Sequence, residues 1–391
     1  MQRIASRGLS GWADGGVLLN WLDEQGVLAW QVIRSGSFQS ASDDKLGGMS
    51  DPIYPLLRRA FFCLPTEASH HLALAGIGAL GLLPRGAPST DHAVECMGLR
   101  FPNRVGLAAG LDKDARSVEG FAALGFGSIE VGTVTPLPQP GNPKPRLFRI
   151  PEVGAIINRM GFNSEGLAGM VPRLAALRER DRLQGVILGV NIGKNKDTPL
   201  ADAHLDYVRG LEAVHDYADY VTLNLSSPNT PGLRTLQSAD ALRTLLGPVV
   251  ETRNRLGSRG GNRPLVLKIA PDLVPEDLDA ISTCVLEFGI DGVIATNTTI
   301  DRSVLPGRLA SHWQQEAGGL SGEPLKALSL STVASLRARL DASIPIIGVG
   351  GISCVADAQA MLRAGATLVQ IYTGFIYIGP VLVRELGKLA C

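Results

Sequence analysis

Residues 264–270 read Pro264-Leu265-Val266-Leu267-Lys268-Ile269-Ala270, an apolar run broken only by a lysine near its end. A continuous Val/Ile/Leu segment of this length, rather than an alternating one, predicts a parallel strand buried on both faces. The pattern recurs in Val105 to Gly110, Ser128 to Thr133, Val186 to Gly193, Tyr220 to Ser226, Gly292 to Thr298, Pro345 to Gly351 and Leu368 to Gly374. Stretches of helical character separate these runs, so the set predicts an α/β fold, a closed (β/α)8 or TIM barrel. Such a barrel builds its chemistry at the C-terminal ends of its strands. Those ends here carry Lys113, Asn191, Asn224, Ser227, Lys268, Asn297 and Tyr372.

The chain has 391 residues and 45% hydrophobic content, enough for a barrel of ~250 residues plus N-terminal material. Lys plus Arg and Asp plus Glu both number 37, so no net field recruits nucleic acid, and a small substrate is favoured. Cys63, Cys96, Cys284, Cys354 and Cys391 are scattered and form no C-x-x-C pair, which disfavours a disulfide framework and a zinc or iron–sulfur site. None of the six histidines falls at a strand end, and no His/Asp/Glu cluster has metal-ligand spacing. No metal is expected, and histidine-based acid–base chemistry is disfavoured.

Residues 1–48 lack the strand–helix repeat. Their acids Asp14, Asp23, Glu24, Asp43 and Asp44 fit a transit peptide poorly, and they offer no uninterrupted apolar signal, so they are expected to form a leader with little ordered structure. Residues 49–90 hold two helical patterns, Leu56 to Leu64 and Glu67 to Leu83, predicting a helical hairpin extension ahead of the barrel at 91–391. The apolar stretch Leu72 to Leu83 is 12 residues, too short to cross a ~30 Å hydrocarbon core. It reads either as a helix packed on the barrel or as a patch dipping into a membrane face, with Arg58, Arg59 and Arg85 near anionic headgroups. Two long excursions interrupt the barrel, at 135–164 and 299–319. The first, rich in proline and glycine, exceeds the usual βα connection and is expected to be a lid forming part of the site.

At the last two strand ends, Gly348-Val349-Gly350-Gly351 and Tyr372-Thr373-Gly374 are suited to bring backbone N–H groups to a phosphate, with tight turns alone as the plainer alternative. Lys268 sits among apolar neighbours, where an unpaired ammonium is costly, so it is expected to meet an anion such as the N1/O2 edge of a reduced flavin. Lys113 reads either as a similar cation or as a rim lysine paired with Asp112 or Asp114. Asn158, Asn191, Asn224, Asn229 and Asn297 lie at or near strand ends. One alone would be a cap or turn residue, but five carboxamides suit a ligand edge that alternates N–H and C=O, a pyrimidine or a flavin. In Asn224-Leu225-Ser226-Ser227-Pro228-Asn229-Thr230-Pro231-Gly232 two prolines clamp a loop presenting hydroxyls. A serine there either bonds its own turn or acts as a general base, which needs a dry pocket and a relay such as Thr230 or water.

Together these motifs resemble the dihydroorotate dehydrogenases, specifically the membrane-associated, quinone-dependent class. The resemblance runs from about Met49 to the C-terminus and rests on Ala108-Ala109-Gly110-Leu111-Asp112-Lys113, Asn158-Arg159-Met160-Gly161-Phe162-Asn163, Asn191-Ile192-Gly193-Lys194-Asn195, the Ser-Ser-Pro-Asn loop, Ala295-Thr296-Asn297-Thr298-Thr299, Gly318-Gly319-Leu320-Ser321-Gly322 and Gly348-Val349-Gly350-Gly351. It implies FMN contacted by Ala109, Gly110, Leu111, Asp112, Lys113, Thr133, Asn191, Asn224, Lys268, Thr296, Gly322, Gly351, Tyr372 and Thr373. It implies dihydroorotate held by Lys113, Asn158, Arg159, Met160, Gly161, Phe162, Asn224, Asn229, Asn297 and Thr298, with Ser227 as catalytic base. Serine rather than cysteine at that position is the pattern of the quinone class. The helical pair then forms the entrance for ubiquinone or menaquinone, with His70 and Arg149 along that tunnel. The resemblance further implies oxidation of dihydroorotate to orotate for UMP synthesis. It points to a peripheral protein on the cytoplasmic face of a bacterial membrane, or on the mitochondrial inner membrane in a eukaryote, with no obligatory protein partner. A soluble relative reducing fumarate or a nicotinamide cofactor, or a membrane-surface scaffold without turnover, are the alternatives.

Overall fold

The computed structural model describes residues 53–84, 86–307, 309 and 311–389, and the backbone of two strands, Gly16–Leu22 and Leu28–Arg34. Those two pair antiparallel, Gly16 opposite Arg34, within the segment read as a leader of little ordered structure. The rest of 1–48 lies outside the described residues.

Each of the eight apolar runs carries a barrel strand: β1 Val105–Leu107, β2 Ser128–Val134, β3 Ile187–Ile192, β4 Tyr220–Asn224, β5 Leu265–Ile269, β6 Gly292–Ala295, β7 Ile346–Val349 and β8 Leu368–Ile371. They close in sequence order, and the ring is completed where Val369 of β8 stands opposite Val105 of β1. All residues of these strands are buried, which is why the runs are continuously apolar. Side chains alternate across a strand, so in β5 Leu265, Leu267 and Ile269 pack toward the helices while Val266 and Lys268 face inward. The same alternation sends Ile129 and Val131 of β2 outward and leaves Glu130 to the interior.

A short hairpin, Val94–Cys96 and Leu99–Phe101, closes the far end of the barrel, its Val94, Cys96 and Phe101 packing with Tyr220, Val266 and Leu368. The open end is roofed by the two long excursions, which the sequence presents as separate loops. Leu147–Ile150 and Ala155–Asn158 form a hairpin, and Gly319–Gly322 adds to its edge with Gly319 opposite Asn158. Ile150, Ile157, Leu305 and Leu320 give this three-stranded roof its own small core.

The helical hairpin is present as α1, Tyr54–Phe62, and α2, Thr66–Leu80. Its attachment to the barrel is specific. Tyr54 donates to the carbonyl of Ile376 at 2.7 Å and Arg58 to that of Tyr377 at 2.6 Å. Where α2 crosses the helix Val118–Ala123, a Cβ on Gly120 would fall 1.8 Å from the carbonyl oxygen of Ile77, so only glycine allows the approach. Leu56, Leu72, Leu82 and Leu83 remain exposed on the other side. Among the described residues no helix is long and apolar enough to cross a membrane.

Candidate active site

The inward alternation of the strands places a polar layer on the barrel axis. Glu130, fully buried, accepts from the side-chain N–H of Asn191 at 2.8 Å, from Gln370 at 2.9 Å and from the Tyr220 hydroxyl at 3.1 Å, with Lys268 Nζ 3.8 Å from its Oε1. Burial lowers the Lys268 ammonium below its ordinary range, while the Glu130 charge acts in the opposite direction.

Above this layer lies a cavity at the C-terminal strand ends. Its wall includes Ala109, Gly110, Lys113, Thr133, Asn158, Met160, Gly161, Phe162, Asn224, Ser227, Asn229, Lys268, Thr296, Asn297, Thr298, Gly322, Gly351, Tyr372 and Thr373. The residues singled out from sequence therefore converge, although they come from separate strand ends and from the roof. Asn297 donates to Ser226 Oγ at 2.9 Å, Ser226 Oγ donates to Asn224 Oδ1 at 3.0 Å, and Asn229 donates to Asn158 Oδ1 at 3.2 Å. Lys113 is not a rim lysine paired with Asp112 or Asp114. Its ammonium donates to Asn163 Oδ1, and burial first, then the nearby Arg146 charge, pushes it down to about 7.

Four of the expected residues do not line this cavity. Asp112 is buried in its own turn, where its carboxylate accepts from the backbone N–H groups of Arg116 and Ser117. Asn191 sits beneath Thr133, one layer below the wall. Arg159 pairs with Glu316 and stacks over Phe148, tying the roof together. Leu111 faces a different cavity. Of the two expected relays, Thr230 or a bound water, Thr230 makes no direct hydrogen bond to Ser227. Ser227 Oγ accepts from Asn229 N–H at 3.2 Å, and the buried Thr230 hydroxyl has no hydrogen-bond partner among the described residues.

That second cavity, about 320 Å3, lies between α1, α2 and the barrel. His70 and Arg149 line it with Leu57, Phe61, Ile77 and Leu111. Burial first, and the Lys113 charge second, push His70 down to about 4, so its ring is neutral at ordinary pH. Arg149 caps the end of α1, donating to the carbonyls of Phe61 at 3.1 Å and Leu64 at 2.6 Å. Leu147, Ile156 and Tyr372 line both cavities and form the partition between them.

Sequence reasoning missed Glu130, whose signal was a lone carboxylate inside the apolar run of β2. It also passed over Gln139 in the proline-rich stretch. Gln139 Nε2 donates to the carbonyls of Gly161 and Phe162 at 3.0 and 3.1 Å, and its Oε1 accepts from Asn195 at 2.9 Å, anchoring the roof.

The wall suits a flavin and a small polar ligand. Gly350 and Gly351 adopt φ of 123° and 72°, conformations that suit glycine and leave backbone rather than side chain at the phosphate-sized end. Thr298 Oγ1 and Gln370 Oε1 are buried at the wall with no hydrogen-bond partner among the described residues. Among the described residues no group of three His, Cys, Asp or Glu could hold a metal ion. A closed parallel barrel with the buried Lys268, the half-buried Lys113 and a ring of carboxamides at its strand ends, backed by an apolar vestibule under an N-terminal hairpin, is the frame of a barrel oxidoreductase.

Comparison with known proteins narrows that class. The dihydroorotate dehydrogenase family profile matches residues 92–388. Among similar proteins, the dihydroorotate dehydrogenase (quinone) of Marinobacter nauticus is 50% identical over 338 residues, covering 85% of this chain and 97% of the relative. That of Delftia acidovorans is 49% identical, over 86% of this chain and 97% of the relative. Among solved structures, DHODH from Eimeria tenella in complex with ferulenol aligns with a TM-score of 0.76 and 44% identity, over 82% of this chain and 89% of that one. The chain belongs to the dihydroorotate dehydrogenase family, whose members are generally flavin-dependent.

Proposed function

We propose that this protein oxidises (S)-dihydroorotate to orotate in pyrimidine biosynthesis, with FMN as its cofactor and a membrane quinone, ubiquinone or menaquinone, as electron acceptor. The observation that carries the reading is the shared partition. A polar cavity with cations and carboxamides and an apolar cavity under exposed leucines meet at Leu147, Ile156 and Tyr372. A water-soluble donor and a lipid-soluble acceptor then approach one centre from two sides.

When bound, FMN supplies the hydride acceptor for C6 of dihydroorotate and the route of its electrons to quinone. The chain's own residues do the rest. Lys113 pairs with the substrate carboxylate, and Asn158, Asn224, Asn229, Asn297 and Thr298 hold the ring edges. Ser227 removes the C5 proton, its own hydroxyl proton leaving through a bound water or the unpartnered Thr230 hydroxyl. Lys268 gives fixed positive charge where negative charge develops on the cofactor. Phe162 and Met160 exclude water from the roof side. The exposed leucines of the hairpin rest on the cytoplasmic face of a membrane, as a peripheral attachment.

The test is to assay orotate formation from dihydroorotate with decylubiquinone and with menadione, and to identify the flavin released on denaturation. Turnover with a quinone and one FMN per chain are expected. Turnover with fumarate or a nicotinamide cofactor alone overturns the acceptor assignment.

A further inference from the structure

The carboxylate of Glu130 lies under the cavity and, apart from the Lys268 ammonium at 3.8 Å, touches no residue given a role in the chemistry above. Its neighbours are nevertheless arranged in one direction. The Glu130 carboxylate accepts every hydrogen bond made to it in the structure. Asn191 must therefore turn its NH2 to Glu130, at 2.8 Å, and its Oδ1 away. That oxygen accepts from the Thr133 hydroxyl at 2.6 Å. Thr133, its single proton committed, can only accept from above, and it does so from Asn224 Nδ2 at 2.8 Å. Asn224 in turn must direct its Oδ1 toward Ser226, which donates from N at 3.2 Å and from Oγ at 3.0 Å, beside Ser227.

We propose that Glu130 is a positioning residue, a buried acceptor that sets the donor and acceptor polarity of the Asn191–Thr133–Asn224 chain and so fixes which end of the Asn224 carboxamide meets the ligand. A carboxamide has nearly the same shape either way round but exchanges donor for acceptor when flipped, so its orientation is set by what its partners offer. The remaining contacts of Glu130 reinforce the direction. Gln370 donates at 2.9 Å, Tyr220 at 3.1 Å and Thr222 at 3.3 Å, and the ammonium of Lys268 stands 3.8 Å away, so every partner is a donor to it. At 0% exposure no water substitutes for these groups. Glu130 thus acts on a ligand it does not touch, through three side chains.

The proposal rests on the reading of this cavity as the flavin and dihydroorotate site. Its test is equilibrium binding of orotate to the flavin-loaded protein, read from the flavin spectrum, in Glu130→Gln, Thr133→Val and the double variant. Glutamine keeps the shape but turns one of the two acceptor oxygens into a donor that faces other donors, and orotate should bind about tenfold more weakly, the scale expected when a buried polar partner is left unmet. Thr133→Val cuts the same chain higher up, so the double variant should be little weaker than either single one. Losses that multiply, or a Glu130→Gln variant within twofold of wild type, overturn the proposal. If Glu130→Gln fails to fold, Thr133→Ser and Thr133→Val decide it. Serine keeps the relay and should bind orotate like wild type, whereas valine should lose about tenfold. Equal binding by both overturns the proposal. A wild-type protein that retains flavin but does not bind orotate overturns the reading of the site and this proposal with it.

Discussion

Arg234 donates from Nε to the carbonyl oxygen of Ser226 at 3.1 Å, one residue before Ser227. The same guanidinium donates from Nη2 to Thr298 O at 2.8 Å and pairs through Nη1 with Asp272 at 2.6 Å. One side chain therefore ties the serine loop after β4 to the ligand-facing end after β6. Replacing Arg234 by Met should leave flavin content near normal but slow turnover on the order of 10²-fold, because small displacements of a reacting group have that scale. Comparison of flavin stoichiometry with kcat checks this. Unchanged kcat would show that the loop keeps its geometry without the clamp.

Ser227→Ala should retain flavin yet slow its reduction by dihydroorotate by ~10²-fold or more, the usual effect of removing a positioned acid–base group. Single-turnover absorbance at the flavin band gives the rate. Near-normal reduction would mean that the hydroxyl only serves its turn, through the bond it accepts from Asn229.

The barrel was legible because burial on both faces leaves a chemical signature, a run without polar alternation, and all eight runs became strands. Most of the wall was legible because polar residues at the ends of such runs have few other places to go. What escaped was of two kinds. Glu130 lies in mid-strand, where an acid looks like noise until the period-2 alternation shows that it faces other polar side chains. The roof escaped because Ala155–Asn158 and Gly319–Gly322 are more than 150 positions apart, and pairing at that distance leaves no local pattern. Arg159 and Asp112 show the reverse case. Both stand in motifs that reach the cavity, yet Glu316 and the backbone of Arg116 and Ser117 hold their side chains elsewhere.

The binding of orotate should be pH-dependent through Lys113. With its value in the free protein near 7, the ammonium is present below that pH and lost above it. A bound carboxylate favours the charged form and raises the value, so binding above pH 7 takes up a proton and affinity falls as pH rises, by up to about tenfold per unit. Calorimetry at pH 8 in buffers of different ionisation enthalpy should show proton uptake approaching one per orotate. Affinity constant from pH 6 to 9 would show that Lys113 does not meet the ligand.

Leu56, Leu72 and Leu82 are 64, 55 and 71% exposed on the hairpin. Changing all three to Glu should abolish flotation with anionic liposomes, since each exposed leucine offers ~1 kcal/mol or more of burial at ~25 cal/mol per Å2. Reduction of the flavin by dihydroorotate should be unaffected. Substitution is a cleaner test than removing the hairpin, because Gly120 and Ser117 pack directly on α2 and truncation would bare barrel surface. Equal flotation of the variant would place the membrane contact elsewhere.

The central claim is that one centre is served from two cavities, and anaerobic stopped-flow on the purified protein tests it most directly. Dihydroorotate added without quinone should bleach the flavin absorbance in a single turnover with release of orotate, and decylubiquinone added next should restore it at a rate that Arg149→Ala slows while the first step stays unchanged. A flavin that dihydroorotate does not bleach, or reoxidation by quinone that competes with orotate for the same site, would contradict the account.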